Sequence, residues 1–448
     1  MLRVLIIADD LTGAADCGVM FREQGMETVV LLGKPGRNAT DLSDLRSAEV
    51  VAIDADTRCL SADKAAETVA ETVRFCGAVN YDGDRPLLFK KVDSTLRGNI
   101  AAELAAVLRT RRALISSPAR VGILFAPAFP ALGRTTVNGR QMVNRVQLEE
   151  TDLWDCERLR PSADIAQMLS RGGLTCAAID LALVRGEMSA LEKTMVRMAN
   201  EVDVLVCDAE REEDLQAVSR AGLVLDKGTI WAGSAGLARH LANAAGFAAA
   251  TASSSPLLCE PRLRGPVLFI VGSQAKVSRE QADVLAGTSD VACYRFTANS
   301  RFEEKPAREW QEIATLIAGD LSERHDVLVR LDPSDTYANE ADRRIARWLA
   351  QTLSPCAAHV GGLVATGGDT ARAILDVWEI ERLTLLREIE PGLPYSTARC
   401  GDREILVLTK AGGFGTRETL LGCREFLRKL GRDSDAIESH LPIASRKS

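Results

Sequence analysis

The chain has 448 residues, 46% hydrophobic, 26% charged and only 4% aromatic, with a formal net charge of −7. That balance is one of a soluble globular protein, and the length exceeds one ordinary core, so two domains are expected. An acidic chain with few stacking side chains lacks the basic footprint of a nucleic-acid binder. No apolar run reaches membrane-spanning length, so no membrane partner is expected.

Eleven cysteines stand singly without a C-x-x-C pair, and four histidines form no H-E-x-x-H arrangement. Neither a zinc ribbon nor a dithiol redox site is indicated. The start, LRVLIIADD, enters a strand pattern at once, without a basic and then apolar leader. With an odd thiol count, this predicts a cytoplasmic protein with reduced cysteines.

The first half alternates apolar strands with helical patterns: strands over Leu2 to Ala8, Val50 to Asp54, Leu87 to Lys91, Gly122 to Ala126 and Val202 to Cys207. Near-continuous apolar runs mark parallel strands covered on both faces, so the fold class is α/β with right-handed crossovers. The Ala-, Ser- and Pro-rich segment 248–266 reads as a linker between an N-terminal domain, 1–247, and a C-terminal one, 267–432. The second series has strands over Val267 to Val271, Asp326 to Leu331, Leu363 to Thr366 and Glu404 to Leu408. Long helical patterns over Ala307 to Leu321 and Glu340 to Thr352 separate them, and a polar tail covers 433–448. Each domain is thus expected to be a mostly parallel sheet flanked by helices, with the active site in the cleft between the domains.

Three N-terminal loops concentrate chemistry at strand ends, where α/β sheets collect ligands. Asp9 and Asp10 follow the first strand in ADDLTGAAD; either serves a sugar hydroxyl or caps the next helix. Lys90, Lys91, Val92, Asp93, Ser94, Thr95 and Arg97 pack cations, a carboxylate and hydroxyls into one loop. Lysine and arginine there suit a carboxylate or phosphate, which arginine grips with two parallel hydrogen bonds. Arg58 adds a cation at the same edge. APAFPALGRTT is a proline-stiffened loop presenting Arg134 and Thr135, or is purely structural.

The C-terminal half carries the phosphate signals. Gly272 and Ser273, then Gly367, Gly368, Asp369 and Thr370, then Gly412, Gly413, Phe414 and Gly415 each follow a strand and open a helical pattern. Glycines admit a phosphate to the backbone, and helix N-termini point free N–H groups at it. Three such loops in one domain predict a nucleotide or polyphosphate site, with Glu390 to Pro394 shaping its base or ribose pocket. Trp231 to Leu237 is either one more such turn or a set of small residues that lets a helix pack closely. No Walker lysine motif, no G-x-S-x-G elbow and no intact dinucleotide fingerprint occurs.

ADDLTGAAD, KKVDSTLRGN, APAFPALGRTT, VGSQ, TGGDTARA and KAGGFGTRETL resemble, in the same order, the motifs of the four-carbon acid sugar kinases, from about Asp9 to Thr419. The family includes D-threonate, D-erythronate and 3-oxo-tetronate kinases, and the ADDLTGAADC form looks most like the D-threonate branch. The resemblance implies an acid-sugar-binding N-terminal domain, an ATP-binding C-terminal domain, and ATP with Mg²⁺. It places Asp9 or Asp10, Arg58 and the loop from Lys91 to Ser94 at the sugar, and Ser273, Gly367 to Thr370 and Gly412 to Gly415 at the nucleotide. Two departures stand out. Gln274 and Ala275 follow Ser273 where the family often has a second hydroxyl, which arrives here at Ser278, and Ala411 replaces a frequent serine.

Phosphoryl transfer needs alignment and charge stabilisation more than covalent chemistry. The sugar carboxylate is expected on Arg58, Lys90, Lys91 and Arg97, the terminal hydroxyl is the acceptor, and Asp93, Asp10 and Asp369 are candidate proton acceptors in no order. The metal ligands are left unassigned, and a homo-oligomer is kept open. A non-catalytic sugar-acid sensor and a nicotinamide-dependent oxidoreductase are the rival readings.

Overall fold

The structure, a computed structural model, describes residues 2–33, 48–78, 86–115, 120–151, 154, 163–247, 260–297, 308–332 and 339–432. Of the expected linker only 260–266 falls among them, and the expected tail lies outside them. The chain divides into two compact units, Met1–Ser255 and Pro256–Ser448.

The first unit runs through β1 (Val4–Ala8), β2 (Thr28–Leu32), β3 (Val50–Asp54), β4 (Leu87–Lys91), β5 (Ile123–Ala126), β6 (Arg134–Val137), β7 (Arg140–Val143), β8 (Val146–Gln147), β9 (Cys176–Ile179), β10 (Val204–Cys207) and β11 (Ile230–Gly233). Strands β6, β7 and β8 form a small antiparallel sheet. The others form a parallel sheet ordered β2-β3-β1-β4-β11-β5-β10-β9. Every residue of β1 is buried, as a strand covered on both faces requires. The order makes β1 a switch point: the chain lays β3 on one side of it and β4 on the other. Loops leaving β1, β3 and β4 therefore share one edge, with a crevice between them.

Helices α1 (Leu11–Arg22), α2 (Ala62–Ala78) and α3 (Ile100–Leu114) cover this sheet. Ile7, Ile53, Leu104 and Phe125 belong to its core. Gly233 and Gly236 answer the question left by Trp231 to Leu237. A Cβ at Gly233 would stand 2.3 Å from the Ala126 carbonyl oxygen, and one at Gly236 2.9 Å from that of Ala128. These small residues let the helix Ala235–Ala244 pack closely.

Inside this core Lys90 Nζ meets Glu103 Oε2 at 2.7 Å, with the two side chains 1% and 2% exposed. Removing one member strands the other charge in a dry interior. Lys90→Met is therefore expected to cost about 3–5 kcal/mol, read by denaturant unfolding. Lys90→Met/Glu103→Leu, which removes both charges, should recover most of that loss, and no recovery would refute the pairing argument.

The second unit contains β12 (Val267–Val271), β13 (Val291–Thr297), β14 (Asp326–Asp332), β15 (Gly362–Thr366), β16 (Arg382–Glu388), β17 (Pro394–Cys400) and β18 (Arg403–Lys410). Their order is β13-β14-β12-β15-β18-β17-β16. The first five in that order pair in parallel, and β17 runs antiparallel to both neighbours. Here β12 is the switch point, flanked by β14 and β15. The helices Arg308–Ser322 and Asn339–Thr352 fall where the periodicity places them. Phe269, Leu328, Tyr395 and Leu427 belong to this unit's core.

Candidate active site

Asp10 caps α1: its Oδ1 accepts from the Gly13 N–H at 2.9 Å, and its Oδ2 from the Thr12 hydroxyl at 2.6 Å. The capping role and the charged role coexist, because Oδ2 also takes Arg58 Nη1 at 2.7 Å. Arg58 grips Asp9 with a fork, Nε to Oδ2 at 2.8 Å and Nη2 to Oδ1 at 3.1 Å. Its Nη2 lies 4.0 Å from Asp93 Oδ1. One guanidinium from the loop after β3 thus ties the loops after β1 and β4 together. Asp9 Oδ2 would lie 3.1 Å from a Cβ at Gly98, whose φ is +87°.

Asp93 is held by its own loop. Arg97 donates Nε to Oδ2 at 2.9 Å and Nη2 to Oδ1 at 2.7 Å. The Thr95 N–H and hydroxyl also reach Oδ2. Burial pushes the Asp93 carboxyl up, but Arg97, Arg58 and Lys91 outweigh it and hold it well below the usual carboxylate range. Asp9 behaves alike: burial raises it, and Arg58, Lys90 and Lys91 bring it below its ordinary value. Lys91, 5% exposed, spends one donor on the Val92 carbonyl at 2.9 Å. Val92 is itself fixed to β11 through the Gly233 carbonyl, and the Ser94 carbonyl accepts from Gln141 Nε2 of β7.

Arg134 lies at the rim, close enough to Asp93 and Arg97 to feel both charges. Its Nη1 donates to the Leu132 carbonyl, while its Nε is buried with no hydrogen-bond partner. Glu212 anchors this proline loop, accepting from the Ala131 N–H at 2.9 Å and sitting 2.7 Å from His240 Nε2. Asp9, Asp10, Arg58, Lys91, Asp93, Ser94, Arg97 and Arg134 therefore gather at the C-terminal edge around β1 and β4, whereas Lys90, expected at the sugar carboxylate, is turned into the core onto Glu103 because successive strand residues face opposite sides of the sheet.

The glycine loops gather likewise in the second unit. A Cβ on Gly412 would stand 1.9 Å from Ser273 Oγ, one on Gly272 2.0 Å from Thr370 Oγ1, and one on Gly367 3.5 Å from the Ser273 nitrogen. Gly367 has φ +92° and Gly415 φ +82°, conformations that glycine adopts without strain. A Cβ on Gly413 would meet nothing within 4 Å, so that glycine borders open space. Gly368 opens the helix Gly368–Val377, and Asp369 in its first turn pairs with Arg343 Nε at 3.0 Å. Phe414 closes over the Glu390–Pro394 loop, its ring 2.0 Å from where a Gly392 Cβ would be.

Three side chains hold the last loop, and Gln281 among them belongs to none of the sequence motifs. Ser278 donates to the Gly412 carbonyl at 2.7 Å, so the delayed hydroxyl supports the loop from behind. Gln281 Nε2 donates to the Phe414 and Thr416 carbonyls at 3.1 and 2.7 Å. Lys410 Nζ donates to the Ala411 and Phe414 carbonyls at 3.0 Å each, and burial brings it down to about 8 against the pull of Cys423 and Glu390. The Phe414 N–H is spent on the Ala411 carbonyl and the Thr416 N–H on the Thr419 hydroxyl, so among the described residues the Gly412, Gly413 and Gly415 N–H groups are the ones left for a ligand.

Among the described residues the one group of three metal-ligating side chains is Asp320, Glu323 and His325. It precedes β14, at the sheet edge opposite the glycine loops, and does not fit a triphosphate-bound ion. The loops themselves offer hydroxyls, N–H groups and the Asp369 carboxylate. That set fits Mg²⁺, a hard ion that is usually held by one or two carboxylates, phosphate oxygens and water. No helix among the described residues is long and apolar enough to cross a membrane.

Comparison with known proteins follows the same division. Residues 4–241 match a sugar-binding N-terminal domain and residues 268–420 a nucleotide-binding C-terminal domain. The chain is 38% identical to a D-threonate kinase of Cupriavidus necator, over 93% of this chain and 96% of that one. It is 33% identical to a D-threonate kinase of Bordetella bronchiseptica, over 95% and 97% of the two chains. A D-erythronate kinase of Heliobacterium modesticaldum is 26% identical over 95% and 97%. A solved structure from Salmonella typhimurium shares the fold with TM-score 0.74, at 20% identity over 97% of this chain and all of that one. With a sugar-binding and a nucleotide-binding domain in this order and relatives of this identity along nearly its whole length, the chain belongs to the family of four-carbon acid sugar kinases.

Proposed function

We propose that the protein transfers the γ-phosphate of ATP to the terminal hydroxyl of a four-carbon acid sugar, with D-threonate the first substrate to try. The observation that carries this reading is the Arg58 hub: one guanidinium joined to Asp9 and Asp10 and close to Asp93, ringed by Lys91, Arg97 and Arg134. Unlike charges fixed against one another suit a ligand that is both a carboxylate and a polyol. Cations take the acid and carboxylates take the hydroxyls. The identity to D-threonate kinases supports that acid over its four-carbon alternatives, D-erythronate and 3-oxo-tetronate.

Lys91 and Arg134 each keep donors that no side chain uses, and Arg97 is partly exposed at the rim. These three grip the substrate carboxylate. Asp93 and Asp10 hold the cations in register, and Asp9 holds Arg58. On the nucleotide side, Ser273 and Thr370 with the N–H groups of Gly368 to Thr370, Gly412, Gly413 and Gly415 hold the phosphates, while the Gly367 and Phe414 N–H groups brace the loops on the Lys410 and Ala411 carbonyls. The Asp369 carboxylate, with phosphate oxygens, would hold Mg²⁺, which would supply charge neutralisation for the transfer. The reading requires the acceptor hydroxyl and the γ-phosphorus to come within reach, with water excluded.

The test is ATP-dependent phosphorylation across D-threonate, D-erythronate and the oxo-tetronates, followed by ADP release and by phosphorus NMR of the product. D-Threonate is expected to give the highest kcat/KM and a terminal phosphomonoester. ATP binding without transfer to any four-carbon acid would overturn the assignment.

A further inference from the structure

Asp16 lies one and a half turns into α1, only 8% exposed, and none of the motif readings gave it a task. Its Oδ1 is buried and has no hydrogen-bond partner. Asp9, Asp10 and Asp93 already accept from protein donors at both oxygens. Asp9 has both oxygens on Arg58, Asp10 has its two on Gly13, Thr12 and Arg58, and Asp93 has its two on Arg97 and Thr95.

The charges around Asp16 come from several elements. Lys91 faces it from β4, Asp93 from the loop beyond, Asp10 from the start of α1 and Arg239 from the helix Ala235–Ala244, with the Cys17 thiol beside it. Burial pushes the carboxyl up to about 6 against the pull of Lys91, with Asp10 adding to the rise. A buried acceptor with no donor weakens the fold by itself, so a donor brought by a ligand is its natural partner.

We propose that Asp16 is a catalytic residue of this site, taking the hydrogen bond of the acid sugar's acceptor hydroxyl and accepting its proton during transfer. The inference rests on the kinase reading given above. The hydroxyl oxygen forms the new bond to the γ-phosphorus, and the bond from that phosphorus to the β–γ bridging oxygen breaks. ADP leaves with that electron pair, and the hydroxyl proton passes to the Asp16 carboxylate, which returns it to solvent after product release. A base whose proton affinity lies just under the working pH is ionised yet still a competent acceptor, whereas the arginine-bound Asp93 is a poor one.

The sign of the linkage makes the test clean. The folded-state affinity of Asp16 for its proton is above the unfolded one. Its contribution to stability is present at low pH and is lost as pH rises from 3.8 through about 6. At neutral pH Asp16→Asn, which keeps the shape and removes the charge, should melt at or above the wild-type temperature.

Asp16→Asn is expected to lower kcat by about a hundredfold or more while the calorimetric Kd for D-threonate stays within about threefold. The wild-type kcat/KM profile should rise with pH through a midpoint near 6, and that limb should vanish in Asp16→Asn and return in Asp16→Glu. A kcat within about threefold of wild type, an unchanged limb, or a rate loss matched by lost D-threonate binding would each overturn the proposal. A wild-type enzyme inactive on every four-carbon acid removes the kinase reading and this inference together; an active wild type with an unimpaired Asp16→Asn removes the inference alone.

Discussion

Arg58→Met is expected to reduce kcat/KM for the acid sugar by about a hundredfold or more while leaving ATP affinity unchanged. The guanidinium comes from the loop after β3, hydrogen-bonds both acids of the loop after β1 and stands 4.0 Å from Asp93 of the loop after β4. Without it Asp9, with a side chain 4% exposed, keeps no cation within 4.0 Å among the described ion pairs. Buried acids left unpaired destabilise by about 3–5 kcal/mol, so a lowered melting temperature should accompany the rate loss. Arg58→Lys separates charge from geometry. Lysine restores one charge but cannot fork across Asp9 while also reaching Asp10. Partial recovery of stability with little recovery of rate is expected. Full activity in Arg58→Lys would mean that the fork is dispensable.

On the nucleotide side Gly272→Val is expected to raise the KM for ATP by about tenfold or more, with D-threonate binding intact. The added carbons would stand where Thr370 does, a Cβ being 2.0 Å from its Oγ1 and 2.8 Å from its Cβ. Thr370 sits in the first turn of the helix Gly368–Val377 and is 5% exposed, so it has little room to retreat. The first glycine loop must then separate from the second, which spoils the shared cradle. Gly413→Ala is the companion. Its Cβ would meet nothing within 4 Å, so the fold should keep its melting temperature. ATP affinity should fall, because the methyl group enters space kept for phosphate. If Gly413→Ala binds ATP as wild type does, that loop does not face the nucleotide.

Much of this molecule was readable before any coordinates. Val50–Asp54, Leu87–Lys91 and Val267–Val271 form strands with the expected bounds, since parallel strands buried on both faces must be apolar throughout. Polar residues just after such strands then stand out against an apolar background, which is why Asp9, Arg58, Asp93 and the glycine loops were identifiable. Strands β13, β16 and β17 escaped because their residues alternate buried and exposed or carry polar side chains, as in VACYRFT and RLTLLRE. Such patterns are shared with helices and loops. The β6–β8 sheet escaped because strands of four and two residues carry too little pattern to recognise.

Sequence by itself determined which residues could do this chemistry and that they leave from strand ends, because periodicity and residue type are local properties. Only the tertiary structure decided who meets whom. Arg58 reaches acids 49 and 48 positions away because β1 lies between β3 and β4. Gln281 reaches carbonyls 133 and 135 positions away through the packing of two helices and a loop. Asp16 looks like any mid-helix acid until folding buries it without a donor beside Lys91. Burial, register and the sharing of hydrogen bonds are properties of the packed chain, and no stretch of residues displays them alone.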